Sequence, residues 1–82
     1  MNRVKLLFFA TLRDRAGMKF MEIDIPPDLT VQGLKEKVSS EYPNLKESMK
    51  SVLITINREY AFDGAVIPQN AEVAMFPPVS GG

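Results

Sequence analysis

Residues 4–9, Val4-Lys5-Leu6-Leu7-Phe8-Phe9, and residues 20–27, Phe20-Met21-Glu22-Ile23-Asp24-Ile25-Pro26-Pro27, carry the reading of the fold. The first run is rich in residues that favour strands, and it alternates. Val4, Leu6 and Phe8 form an all-apolar set, whereas Lys5, Leu7 and Phe9 start charged and end apolar. The spacing predicts a strand whose first set faces the core and whose outer face turns greasy at one end. In the second run Met21, Ile23 and Ile25 alternate with Glu22 and Asp24. Pro26-Pro27 ends it, because proline has no N–H to donate to a ladder. Between the runs, Ala10-Thr11-Leu12-Arg13-Asp14-Arg15-Ala16-Gly17-Met18 breaks the alternation and is expected to be the long loop of a hairpin.

Working outward, Thr30 is expected to cap a helix, with Leu29 and Leu34 placed as a hydrophobic staple and Val31, Leu34 and Val38 as its inward stripe. Gly33 weakens that helix by up to ~1 kcal/mol relative to alanine, and Pro43 stops it. Asn44 with Glu47 reads as a second capping signal that opens a short helical turn through Leu45 and Met49. Val52 to Ile56 reads as a third strand. Asn57-Arg58-Glu59 then turns into a short strand at Tyr60-Ala61-Phe62, Asp63-Gly64 turns again, and Glu72 to Phe76 is the last strand. One main helix on a mixed sheet of four or five strands is an α+β architecture.

The chain has 82 residues, enough for one domain. A domain of this size buries roughly 60–65% of its unfolded surface, so little room remains for an enclosed substrate pocket. Chemistry is expected at the surface, at a terminus or in a site shared with a partner. Lys plus Arg and Asp plus Glu both number 10. A protein that tracks phosphates carries a cationic excess, so nucleic acid is not expected as a partner, and no charge run points to a membrane surface. There is neither cysteine nor histidine. That removes thiolate nucleophiles, histidine bases, disulfides and the usual zinc ligand sets, so no metal site is expected. The apolar stretch Leu6 to Ala10 is too short for a signal core or a membrane span, and a cytoplasmic protein is the expectation.

After the last strand the sequence reads Pro77-Pro78-Val79-Ser80-Gly81-Gly82. Six extended residues reach at most ~20 Å. The prolines favour an extended base, and the glycines would pass through a channel too narrow for a Cβ. A domain over 1–76 with an extended tail over 77–82 is therefore expected. A carboxylate at Gly82 is a poor electrophile. Activation by a nucleotide would make it a mixed anhydride, and attack by a persulfide or sulfide would leave a thiocarboxylate, which is ionised near neutral pH and a better nucleophile. A terminal glycine pair alone arises by chance in roughly one chain in 200, so the weight rests on the whole segment from Phe76.

With that segment in view, Phe8-Phe9-Ala10-Thr11-Leu12-Arg13-Asp14-Arg15-Ala16-Gly17 and Glu72-Val73-Ala74-Met75-Phe76-Pro77-Pro78-Val79-Ser80-Gly81-Gly82 resemble the family of molybdopterin synthase small subunits. The similarity spans essentially the whole chain, and Gln69-Asn70-Ala71 departs from the family's usual glycine–aspartate turn. The resemblance implies a ubiquitin-like β-grasp fold and a cycle with several partners. An activating enzyme of the ubiquitin-activating type would adenylate Gly82 with ATP and magnesium, neither bound by this chain. A sulfurtransferase system would supply sulfur. The tail, with Gly81 and Gly82 at its tip, would enter the active site of a large subunit in a heterotetramer and donate sulfur to precursor Z. The resemblance also places Phe9, Phe76 and Tyr60 on the partner-facing surface, with Arg13 at the rim and Pro77 and Val79 in the docking tail.

Plainer readings stand beside these. Phe9 or Tyr60 could close an edge of a small core, and Arg13 could be a solvated loop arginine. Asp14, Asp24 and Asp28 have no spacing that gathers them into a carboxylate pair, and Lys37 with Glu41 reads as an exposed i,i+4 pair. The tail is equally compatible with a ubiquitin-like modifier attached to lysines. A sulfur carrier for thiolated tRNA or thiazole is a third reading, and Phe76-Pro77-Pro78-Val79 argues against thiazole.

Overall fold

The computed structural model describes residues 2–78, so Val79, Gly81 and Gly82 lie outside the described residues. Strand β1 (Asn2–Phe8) pairs antiparallel with β2 (Phe20–Ile25) and parallel with β5 (Glu72–Phe76). Strand β3 (Leu53–Ile56) joins β5 and the two-residue β4 (Glu59–Tyr60), giving a mixed sheet in the order β2-β1-β5-β3-β4. The main helix, α2 (Val31–Glu41), supplies Val31, Leu34 and Val38 to the core. A hairpin, a helix and a central parallel strand pair make this a β-grasp fold.

Alternation sorts the strand residues as the sequence predicts. Val4, Leu6 and Phe8 are buried with Val73, Met75, Ile54 and the α2 stripe, whereas Lys5 and Phe9 are exposed. Thr30 caps α2, its hydroxyl accepting the Gly33 N–H at 3.1 Å. A Cβ at Gly33 would stand 2.5 Å from Leu29 Cδ1, so the glycine lets the residue before the cap fold over the first turn. Lys37 pairs with Glu41 at 2.6 Å.

Four expectations are corrected. The 10–18 connection contains a helix, α1 (Thr11–Ala16), closed by Gly17 in the left-handed region. Only Leu12 of its six residues is buried, so it presents no 3.6-residue stripe to read. Asn44 caps nothing. It lies within a 3₁₀ turn (Pro43–Leu45), and a second turn (Ser48–Lys50) follows, neither with a side-chain cap. The third strand begins at Leu53 rather than Val52, and the fourth is Glu59–Tyr60 rather than Tyr60–Phe62. Asn70 takes φ +63 before β5, a conformation asparagine tolerates, and donates its N–H to the Arg3 carbonyl. No helix among the described residues is long and apolar enough to cross a membrane.

Candidate docking site and the root of the tail

The face of the sheet away from α2 is open. Its register aligns Phe20, Leu7, Ala74, Thr55 and Tyr60 in one row across all five strands. On one side of that row the face is charged. Arg3 Nε donates to Asp24 at 3.1 Å, Lys5 Nζ lies 4.4 Å from the Phe20 ring centroid, and Arg58 lies 3.8 Å from Glu72. The hydrogen bond from Arg3 and its charge hold the Asp24 carboxyl below the usual aspartate range and raise Arg3 in turn. On the other side the face is apolar.

That apolar end is built by backbone continuity. Phe9 follows β1 directly, and its N–H reaches the Met75 carbonyl at 3.2 Å, extending the β1–β5 ladder. This brings Phe9 beside Phe76, the last residue of β5. Their rings stack with centroids 4.5 Å apart and planes 11° from parallel. Such a pair contributes about 0.5–1.5 kcal/mol beyond its area, yet Phe9 remains 41% exposed. Tyr60, 81% exposed, lines the same shallow groove, with Leu7, Ala74 and Thr55 as its floor. Alternation alone marks Leu7 and Ala74 as outward-facing, so they could have been added to the site from the sequence.

Arg13 does not line this groove; it is exposed on α1. Arg58 and Glu72 line the groove at its charged end. Pro77 is half-buried and Pro78 exposed, and both border a small cleft with Thr11, Arg15 and Ser48. The unforeseen helix α1 therefore forms part of the wall along which the chain leaves β5. Asp14, Asp24 and Asp28 are not gathered, and no group of three or more metal-ligating side chains occurs among the described residues.

Two backbone positions around the groove are costly. Ala10, next to Phe9, has φ 53 and ψ −127, a region that favours glycine, at about 1–3 kcal/mol. Asn57 and Arg58 have φ 51 and 73, the pattern of a type I′ hairpin turn between β3 and β4. Asparagine suits its place; arginine stands where glycine is preferred, at a cost of about 1 kcal/mol.

The chain matches the model of the ThiS family over residues 6–82. It is 32% identical over 79 residues to the molybdopterin synthase sulfur carrier subunit of Arabidopsis thaliana, covering 96% of this chain and 82% of that protein. The corresponding subunit of Dictyostelium discoideum is 33% identical over 84 residues, covering 99% and 98%. Among solved structures, the small archaeal modifier protein 1 of Haloferax volcanii superposes with a TM-score of 0.81 at 29% identity, covering 98% of this chain and 99% of that one. With a β-grasp sheet and a family match over nearly its whole length, this chain belongs to the ThiS family, among the molybdopterin synthase sulfur carrier subunits.

Proposed function

We propose that this chain is the sulfur-carrying small subunit of a molybdopterin synthase and acts through the carboxylate of Gly82. The observation that carries the reading is the partly exposed Phe9–Phe76 stack at the root of the Pro77–Gly82 segment. An apolar patch of this kind is a docking anchor, and it lies where docking would aim the tail. An activating enzyme adenylates Gly82 with ATP and magnesium and releases pyrophosphate. A persulfide of a sulfurtransferase system displaces AMP to give an acyl disulfide. A thiol of that system then cleaves the S–S bond, leaving the thiocarboxylate on Gly82 and a disulfide on the donor. The large subunit, in a heterotetramer, then receives the tail by its Gly81-Gly82 tip and brings the sulfur to precursor Z. This chain contributes the reagent and its delivery, while the catalytic groups belong to the partner, and the setting is the cytoplasm. Phe9, Phe76, Tyr60, Pro77 and Val79 form the docking set, with Arg13 at its periphery.

The likeness to an archaeal modifier protein favours a second reading, in which Gly82 is joined to lysines of other proteins. Deleting Gly82 tests the mechanism in a reaction reconstituted with activating enzyme, sulfur source, large subunit and precursor Z. The expected result is loss of molybdopterin formation, with melting temperature and affinity for the large subunit unchanged. A deletion variant that still supports the product would overturn it.

A further inference from the structure

Among the described residues, five other than glycine have positive φ: Ala10, Asp28, Asn57, Arg58 and Asn70. Asparagine and aspartate tolerate this conformation by local hydrogen bonding. Arg58 has no such excuse, and in a two-residue type I′ turn it occupies the position where glycine is preferred. The turn that holds it is tied to β5 by two hydrogen bonds. The Asn57 N–H donates to the Glu72 carbonyl at 2.8 Å, and Asn57 Oδ1 accepts the Glu72 N–H at 2.9 Å. Arg58 is thereby fixed to β5, at the charged end of the groove that Phe9, Phe76 and Tyr60 line.

The guanidinium itself is nearly uncommitted. Its side chain is 89% exposed, and its nearest acid, Glu72, stands 3.8 Å from Nε, beyond hydrogen-bond reach. A contact so exposed gives little stability, so it does not offset the cost of the backbone. A planar donor whose backbone is anchored at the polar rim of an apolar patch suits bidentate recognition of a carboxylate.

Resting on the docking reading above, we propose that Arg58 is a specificity-determining residue of the interface, pairing with a carboxylate of the large subunit when that subunit covers the groove. The sequence accepts a strained turn in order to hold this arginine there. Binding orders no further backbone at Arg58, because the turn already places its Cα.

Arg58→Gly and Arg58→Asn both relieve the backbone and both remove the guanidinium, with asparagine retaining a side chain suited to the turn, so melting temperature reads the strain and affinity reads the lost guanidinium. Melting temperature and affinity for the isolated large subunit are measured for each at low and high salt. The expected result is a melting temperature raised by a few degrees in Arg58→Gly, and affinity lowered about tenfold in both variants, a loss that shrinks with salt. Arg58→Lys, which keeps the charge but not the fork, recovers part of the affinity. Parent-like affinity in Arg58→Asn overturns the proposal, whatever the glycine variant does. Phe76→Ala in the same assay locates the failure. If it too binds like the parent, the docking reading has failed; if it binds weakly, only the role of Arg58 has.

Discussion

Leu6 and Leu7 are neighbours in the chain and opposites in the molecule. Leu6 is fully buried in the cluster that α2 closes, whereas Leu7 is half-buried on the floor of the open groove. The same division runs between Phe8 and Phe9, and between Met75 and Phe76. A strand's two-residue period lets one short sequence serve two purposes at once. The side facing α2 (Leu6 and Phe8 in β1, Val73 and Met75 in β5) supplies the hydrophobic free energy of folding. The opposite side is left for recognition, and it carries an apolar end and a charged end rather than the uniformly polar surface of a sheet that faces only water.

This contrast can be broken at known points. Leu6→Ala removes a fully buried side chain and leaves a cavity, at about 2–5 kcal/mol. Chemical denaturation should show that loss, and a near-neutral result would mean the covered face is not the source of stability. Phe76→Ala, one residue beyond the buried Met75, is expected to weaken binding to the large subunit at least about tenfold, with a much smaller effect on melting. Unchanged affinity with lowered thermal stability would make Phe76 a core residue.

The covered face was legible in the sequence, and so was the aromatic end of the open one. Both follow from alternation in Val4 to Phe9 and Glu72 to Phe76, which spans enough residues to declare its period. Thr30 was legible as a cap because a hydroxyl three residues before an orphan N–H has one natural use. The helix α1 was not, since a single buried Leu12 among charged residues leaves no pattern. Asn44 misled for a related reason: asparagine is as much at home within a tight turn as at its start. Arg58 escaped notice because its interest lies in its φ, which sequence pattern does not display.

Smaller effects sharpen the comparison. Ala10→Gly should raise stability by up to about 1 kcal/mol, the relief of strain being partly offset by glycine's greater freedom when unfolded. Thermal melting checks it, and a fall would show that the Ala10 methyl group is needed for packing. The smallest effect expected is electrostatic. The Asp24 carboxyl is held below its ordinary range by Arg3, so its contribution is present above the unfolded aspartate value near ~3.9 and is lost as pH falls through the lower folded one. Arg3→Gln should therefore flatten the decline in denaturation midpoint on acidification slightly. Because the pair is exposed, added salt should erase the difference. An equal decline in both proteins would remove Arg3 from the account.

The most direct test of the sulfur-carrier reading is the intact mass of this protein, free of any C-terminal tag, purified from cells that lack the large subunit. The account predicts a gain equal to one oxygen replaced by one sulfur, mapped by fragmentation to Gly82. An unmodified mass accompanied by covalent adducts of larger proteins would contradict it and move the assignment to a protein modifier.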